Sequence, residues 1–262
     1  MRDGEFCMLS IQRQQEIIDL IREKHSVTVS ELVDRFSVSD MTIRRDLDSL
    51  EKRGILRKIY GGAVLADYVM GGPQEIAMDV RKIEETDAKL RIAQHASAFI
   101  EDDDVIIIDA GTTTLPLIKF LQPSPHLTVI TNSIPIAYEL TGSSVNLLLV
   151  GGDVRVTTHS TVGPKAKEFL SDLHARKFFM AASGLSLEKG LMNFNLYEAE
   201  IKRRMMNISD EVILIADSTK FNSPSYHTFA QWADIDVLIT DSRISKDIAD
   251  QIRELGVRVE IV

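Results

Sequence analysis

Two adjacent arginines, Arg44 and Arg45, stand in the segment DMTIRRDLDSL at residues 40–50. An arginine can make two parallel hydrogen bonds to the edge of a guanine base, and a second arginine at the same helix end can bind a phosphate. The alternative is an amphipathic helix whose arginines pair with carboxylates of the same helix, Asp46, Asp48 or Glu51. On one helix alone that alternative is favoured, so the surrounding elements decide which chemistry applies.

Short polar sequences follow four apolar runs in the C-terminal part of the chain. The run at 105–109 leads into DAGTTT and the run at 211–216 into DSTKF, while 127–131 and 146–150 lead into Asn-Ser and Gly-Gly. Hydroxyl and N–H groups at a helix start can bind a phosphate. For one loop, helix capping by Ser or Thr explains the pattern equally well, but four loops together favour a pocket for a small, polar, anionic ligand. The candidate contacts are Asp109, Gly111, Thr112, Thr113, Thr114, Asn132, Ser133, Gly151, Gly152, Ser160 and Lys220.

The N-terminal part of the chain predicts the elements that position the two arginines. From Ser10 the apolar spacing predicts three short helices, and two short runs around Gly61-Gly62 predict a β-hairpin. In the third helix Ile43, Leu47 and Leu50 form the buried stripe, so the arginines point away from the core. The predicted limits are a cap at Ser10, a brief strand at 26–29, a cap at Ser30 for the second helix, a cap at Ser39 or Asp40 for the third, and its end at Gly54.

Two helices joined by a tight turn and followed by a basic hairpin form the layout of a winged helix-turn-helix. Its second helix enters the major groove, and the residues at the start of that helix reach base edges. This complete order favours DNA reading over surface ion pairs. Basic residues on the hairpin would add phosphate contacts that set the register on DNA. The predicted DNA contacts are Ser39, Met41, Thr42, Arg44, Arg45, Arg57 and Lys58.

Charge is distributed unevenly along the 262 residues, whose net charge is −9. The first 66 residues are balanced, so the whole acidic excess lies in the C-terminal part. A locally basic surface on an acidic chain can still bind DNA, because only the docking face must be positive.

Cysteine and histidine usage limits the other chemistries. Cys7 is the only cysteine, so an internal disulfide and a cysteine-based metal cluster are both excluded. The six histidines are scattered without the spacing of metal ligands. We therefore expect no metal and no cofactor. The N-terminus has no apolar signal segment and no apolar run approaches the roughly 18 residues of a membrane span, so we expect a cytoplasmic protein.

The C-terminal part predicts an α/β fold. Near-continuous apolar β runs alternate with amphipathic segments, a pattern typical of a mainly parallel sheet covered on both faces. No G-x-G-x-x-G follows the first run, so a dinucleotide-binding fingerprint is absent. The predicted organisation is a tail at 1–8, a winged helix-turn-helix at 9–65, a linker at 66–85 that carries Arg81, and a ligand-binding domain at 86–262.

The segment SELVDRFSVSDMTIRRDLDSLEKRGILRKIYGGAV resembles the N-terminal domain of DeoR-family bacterial transcription regulators. The motifs IIIDAGTTT, VITNS, LLVGG, STVGPKA and ILIADSTKF resemble, in order, the family's effector domain. That domain is related to ribose-5-phosphate isomerase A, and the resemblance implies that it senses a phosphorylated sugar without catalysis. It further implies operator contacts at Thr42, Arg44, Arg45 and Lys58, and effector contacts at Asp109, Thr112, Thr113, Asn132, Lys202 and Lys220.

The chain departs from the family pattern in two places. Ser183 in the sequence AASG stands where many members have an acid, and Leu196 follows Asn195 where many have a glutamate. Both positions are expected to face the sugar, so the sequence leaves the identity of the effector open.

The sequence thus predicts a DNA-binding repressor of a sugar or sugar-alcohol utilisation operon, which a phosphorylated sugar releases from DNA. A single winged helix covers little DNA, so a homodimer or homotetramer is expected. The alternative is a sugar-phosphate isomerase or deaminase-like enzyme with an accessory DNA-binding domain. Its candidate bases are Glu198 and Asp109, although Glu198 and Lys202 at i,i+4 spacing are more typical of a surface pair and Asp109 is more simply a hydroxyl acceptor.

Overall fold

The computed structural model describes residues 10–24, 26–52, 56–59, 61–65, 75, 78–83, 85–122, 124–223 and 225–262. The chain divides into two compact units, residues 1–74 and 75–262. The predicted tail, the helix end at Gly54 and most of the predicted linker lie outside the described residues, and so does the side chain of Arg57.

The first unit has the predicted winged helix-turn-helix order. Its strands form one antiparallel sheet in the order β1-β3-β2, so the predicted hairpin gains a third strand. The expected cap at Ser30 is wrong, because Thr28 caps the second helix and accepts the Glu31 N–H at 3.1 Å. The elements are α1 (Ser10–Lys24), β1 (Ser26–Thr28), α2 (Val29–Phe36), α3 (Asp40–Lys52), β2 (Leu56–Ile59) and β3 (Gly62–Leu65).

An ion pair joins α1 to α3 inside the first unit. Arg13 Nε lies 2.5 Å from Asp46 Oδ2, and both residues are buried. Burial alone would raise the pKa of Asp46, but hydrogen bonds from Arg13 and two further donors outweigh it and hold the pKa below its ordinary value. This pair fixes one face of α3 to α1 beside the apolar core that contains Ile43 and Leu47.

The second unit is built on a fully parallel seven-stranded sheet, which confirms the predicted α/β class. Its α-helices are α4 (Met78–Ile83), α5 (Thr86–Ser97), α6 (Ile134–Leu140), α7 (Pro164–Phe169), α8 (Leu196–Asn207) and α9 (Lys246–Glu254). Its strands are β4 (Val105–Ile108), β5 (Thr128–Thr131), β6 (Asn146–Leu149), β7 (Asp153–Arg155), β8 (Ser160–Val162), β9 (Ala175–Met180), β10 (Gly184–Ser186), β11 (Gly190–Asn193), β12 (Ser209–Ile215), β13 (His227–Ala230), β14 (Val237–Thr240) and β15 (Arg258–Ile261).

Alternate residues of the central strands pack on opposite faces of the sheet. Ile107 belongs to the cluster that includes residues of α7, α8 and α9, whereas Ile106 and Ile108 belong to the cluster that includes residues of α5 and α6. The strand order is β15-β14-β12-β9-β4-β5-β6. The chain therefore runs outward from β4 to β6 and returns to the other side at β9. Ligands in such sheets bind at this switch point, beyond the carboxyl ends of the strands.

The short antiparallel strands were not predicted. Strands β7 and β8 form a hairpin, and β10, β11 and β13 form a separate three-stranded sheet. Among the described residues, no helix is both long and apolar enough to cross a membrane.

The Arg13–Asp46 pair generates a stability prediction. We expect Asp46→Ala to destabilise the first unit by about 3 kcal/mol, because it removes the carboxylate that pairs with the buried Arg13 guanidinium. Hydrogen exchange of peptides from residues 40–52 in the full chain measures this loss. Asp34→Ala, at an exposed position of α2, is the matched control.

The same experiment has a pH dependence with a fixed sign. Because the native pKa of Asp46 is depressed, its contribution is complete above about pH 4 and is lost as the pH falls through the native value. The difference between wild type and Asp46→Ala should therefore shrink in acid. A difference that stays constant from pH 7 to pH 3 would contradict the role of the pair.

Candidate functional site

The exposed surface of α3 carries Arg44 and Arg45. Ser39 precedes the helix, and its hydroxyl accepts the Thr42 N–H at 3.3 Å. Met41 is 63% exposed, and Arg44 and Arg45 are exposed as well. The start of α3 thus presents a row of solvent-facing side chains on the side opposite its buried stripe, as predicted.

The two arginines differ in what holds them. Arg44 pairs with Asp40 one turn earlier, and both side chains are 58% exposed. Arg45 forms no ion pair or side-chain hydrogen bond within the part of the chain that the structure describes. An exposed ion pair contributes little stability, so Arg44 can exchange Asp40 for another anion at small cost.

The hairpin contributes Lys58. Its ammonium contacts Asp48 of α3, and its backbone N–H donates to Glu51 at 2.8 Å. The hydrogen bond from Lys58 lowers the pKa of Asp48, and the same bond raises the pKa of Lys58. These contacts tie the hairpin to α3, and the exposed Lys58 remains a predicted phosphate contact.

A polar cleft opens in the second unit at the carboxyl ends of β4, β9 and β12, three neighbouring strands at the switch point. The loops that follow these strands supply most of its wall, and α8, the β7–β8 hairpin, β11, α4 and Glu75 supply the rest. Its lining consists of Glu75, Arg81, Ala110, Gly111, Thr112, Thr113, Thr158, Ala181, Ala182, Ser183, Asn193, Glu198, Lys202 and Lys220.

The loop after β4 turns its backbone toward the cleft. A Cβ on Gly111 would lie 2.8 Å from the Ala181 Cβ, so only glycine fits there. Thr114 holds the turn, because its hydroxyl lies 2.7 Å from the carbonyl oxygen of Asp109. Within the described residues, the N–H groups of positions 111–113 make no hydrogen bond, which leaves them available to a ligand. The helix that follows is a six-residue 3-10 helix, Leu115–Phe120, so the loop offers N–H donors and not the predicted helix dipole.

An ion pair joins the lining residue Lys202 to Asp109, which lies behind the lining. Asp109, 1% exposed, accepts hydrogen bonds from the Lys202 ammonium and from the Ala181 N–H. Complete burial raises the pKa of Asp109, and the neighbouring Lys202 ammonium offsets part of the rise. Lys202 also donates to the Ala181 carbonyl at 2.9 Å. The charge of Lys202 is therefore committed to Asp109 and to the loop after β9.

Glu198 forms the centre of a second buried network. Its Oε1 accepts from Arg155 Nε at 3.1 Å, and from the hydroxyls of Thr158 and Ser160, while its Oε2 accepts from Asn193 Nδ2 at 2.7 Å. The expectation that Glu198 and Lys202 form a surface pair is wrong. Both are buried on the inner face of α8, and each is bonded to other residues.

Lys220 differs from Lys202 and Arg155, whose charges are paired with carboxylates. It lies in the 3-10 helix Ser218–Asn222 after β12, is partly buried, and lines the cleft. Among the described residues, no carboxylate pairs with its ammonium. Lys220 therefore offers a full positive charge that no carboxylate of the described residues neutralises.

Several predicted contacts lie behind the lining and hold its loops. Thr114 closes the turn described above, and Asn132 Oδ1 accepts the Ala110 N–H at 3.1 Å. Ser133 caps α6, and Ser160 donates to Glu198. These side chains are buried with protein partners, so the structure does not bring them to the cleft surface.

The two glycines after β6 are also absent from the lining. Gly152 has φ +150°, and a Cβ there would lie 2.5 Å from the carbonyl oxygen of Val162. A side chain would push the β7–β8 hairpin away from the loop. The requirement for glycine at this position is thus explained by chain packing.

The sequence did not reveal four residues of the lining. Glu75 and Arg81 lie in the predicted linker, and Glu75 contacts Arg155 across 80 positions of the chain. Thr158 and Asn193 belong to the short antiparallel strands and turns that were not predicted. No local pattern marks any of the four, because each acquires its place through a long-range contact.

Family models match both units of the chain. Residues 13–69 match the DeoR-like helix-turn-helix domain, and residues 84–242 match the DeoR C terminal sensor domain.

Curated relatives match almost the whole length. The chain is 36% identical over 256 residues to the transcriptional regulator YulB of Bacillus subtilis strain 168, covering 97% of this chain and 98% of that protein. It is 34% identical over 237 residues to the lactose phosphotransferase system repressor of Lactococcus lactis subsp. lactis, covering 89% and 92%.

Among solved structures, ribose 5 phosphate isomerase A from Neisseria gonorrhoeae aligns with 50% of this chain and 52% of its own, at 13% identity and a TM-score of 0.38. That likeness is too low to support an argument. The sequence matches to both units, with the α3 surface and the cleft in place, show that the chain belongs to the DeoR family of transcriptional regulators.

Proposed function

We propose that this regulator represses a sugar or sugar-alcohol utilisation operon, and that a phosphorylated sugar bound in the cleft releases it from DNA. The repressor role is supported by a relative whose name ties it to a lactose phosphotransferase system. The observation that carries the ligand class is Lys220, an unneutralised cation that shares the cleft with the free N–H groups of residues 111–113.

The charges around the cleft favour an anion. Four cations, Arg81, Arg155, Lys202 and Lys220, stand against the three carboxylates of Glu75, Asp109 and Glu198. Burial raises the pKa of Glu75, and the negative charge of Glu198 raises it further, so the carboxylate side of this balance is weakened. A phosphate would complete the balance, and charge-assisted hydrogen bonds would make it the tightest-bound part of the ligand.

Other residues of the lining can contact the hydroxyls of a sugar. Ser183 and Asn193 are hydrogen-bonded to each other, and both line the cleft beside Thr158. Ser183 stands where many family members have an acid. Its hydroxyl donates to Asn193 Oδ1, so its oxygen can accept from a sugar hydroxyl without the negative charge of a carboxylate.

Catalysis is not part of the proposal. An isomerase needs a carboxylate that is free to take a proton from the substrate carbon. The oxygens of Glu198 accept four hydrogen bonds, and the carboxylate of Asp109 is held by Lys202. Incubation with ketose and aldose phosphates should therefore give no turnover.

The α3 surface generates the first functional prediction. We expect Arg45→Ala and Arg44→Ala each to weaken binding to an operator selected from random DNA by roughly ten- to hundredfold, because a bidentate guanine contact is worth about 1–3 kcal/mol. Fluorescence anisotropy with labelled operator measures the loss. Arg91→Ala, an exposed arginine of α5, removes the same charge outside the first unit and should change affinity little. Wild-type affinity in both α3 variants would refute the assignment of the DNA-reading helix.

The cleft generates a second prediction. A thermal-shift panel of ribose 5-phosphate, glucose 6-phosphate, fructose 1-phosphate and glycerol 3-phosphate should identify a stabilising ligand, and its unphosphorylated form should bind far more weakly. Lys220→Ala should weaken binding of that ligand about tenfold or more, since hydrogen bonds to charged groups contribute about 1.5–3 kcal/mol. Lys189→Ala, at an exposed turn, is the control. Equal binding of the free sugar and its phosphate would contradict the ligand class.

We also propose that the protein is a homodimer or homotetramer that reads repeated half-sites, because one winged helix covers too little DNA for tight binding. Sedimentation at micromolar concentration should show an oligomer. A monomer that binds a single half-site with full affinity would contradict this.

A further inference from the structure

The first described residues of the second unit run along the cleft. This entry segment consists of Glu75 and Met78–Ile83, and three contacts tie it down. Glu75 pairs with Arg155, the Met78 N–H donates to the Thr157 carbonyl at 2.9 Å, and the carbonyl of Arg81 accepts from the buried Lys89 ammonium at 2.6 Å. The segment is therefore a wall of the cleft and also the place where the chain enters the second unit.

Arg155 connects the entry segment to α8. Its guanidinium contacts Glu75 of the entry segment and, through Nε, Glu198 of α8 at 3.1 Å. The Glu75 side chain is only 7% exposed, so its charge depends on this bridge. A change at Glu198 can thus reach the entry segment through the side chain of Arg155.

Two buried polar atoms of the entry segment have no partner. Glu75 Oε1 and Arg81 Nε make no hydrogen bond with any described residue, and both residues line the cleft. Buried polar atoms are normally paired, because leaving them unpaired costs free energy. Glu75 offers an acceptor and Arg81 a donor. A sugar phosphate has both complements, a hydroxyl that donates and an anionic oxygen that accepts.

We propose that the entry segment senses the ligand directly: Arg81 binds an oxygen of the sugar phosphate, Glu75 accepts one of its hydroxyls, and the segment passes occupancy to the DNA-binding unit. The inference rests on the proposed function and names how that site is coupled to DNA. A ligand that completes both missing hydrogen bonds holds the segment more firmly to the cleft. In the proposed function the ligand-bound state disfavours operator binding. By linkage, operator binding must then loosen the entry segment.

Hydrogen exchange on the wild-type protein tests the coupling without any substitution. The probe is whichever of the four sugar phosphates named above gives the largest thermal shift. Peptides that cover residues 75–83 should exchange several-fold more slowly with this probe and faster with operator DNA than in the free protein. Identical exchange in the three states would overturn the inference.

A pair of variants tests the contact. Arg81→Gln should weaken binding of the same probe at least about tenfold, and Arg91→Gln, which removes an exposed arginine from the neighbouring helix α5, should not. Glu75→Gln, which keeps the shape of the side chain, should also weaken binding. Equal affinity in Arg81→Gln and Arg91→Gln, combined with weakened binding in Lys220→Ala, would overturn the inference and leave the proposed function standing. A wild-type protein that binds none of the four sugar phosphates would overturn both.

Discussion

Burial of charge at the strand ends governs what the second unit can bind. A buried ion is stable only when it is paired and hydrogen-bonded, and the protein meets this need for Asp109 with Lys202 and for Glu198 with Arg155 and three neutral donors. Because these charged groups are paired with each other, most of them are not available to recognise a ligand. What remains is the ammonium of Lys220, the N–H groups of residues 111–113, and the unpaired atoms of the entry segment, all directed at one cleft.

The same rule orders the first unit. Asp46 is buried and paired with Arg13 of α1, so that face of α3 is occupied by a structural contact. The opposite face is left to Met41, Arg44 and Arg45, which project into solvent. Arg44, Arg45 and Asp46 are consecutive in sequence, yet helical geometry places the arginines on the exposed face of α3 and Asp46 on the buried face. Asp46 of this charged run holds the helix in place, whereas the two arginines lie on the exposed surface.

The sequence predicted what depends on local pattern. The seven parallel strands are apolar runs, and the helix-turn-helix follows from apolar spacing and turn residues, so both could be read directly. The site was predicted only in part: the loops after β4 and β12 reach the cleft, but Thr114 and Asn132 turn inward to hold the first of these loops, and Ser133 caps α6. Spacing placed Glu198 and Lys202 on one helix face and could not show that this face is buried. Glu75 and Arg81 were read as linker charges because their partners lie far along the chain.

The central proposal is that a phosphorylated sugar in the cleft and operator DNA at α3 each weaken the binding of the other. Binding free energies are reciprocal, so whatever factor the sugar phosphate imposes on operator affinity must be imposed by operator on sugar-phosphate affinity. Calorimetric titration of the sugar phosphate into the free protein and into the protein–operator complex measures this directly. We predict that the sugar phosphate binds the protein–operator complex more weakly than the free protein, by the same factor by which it lowers operator affinity. Equal affinity in the two titrations would contradict the account.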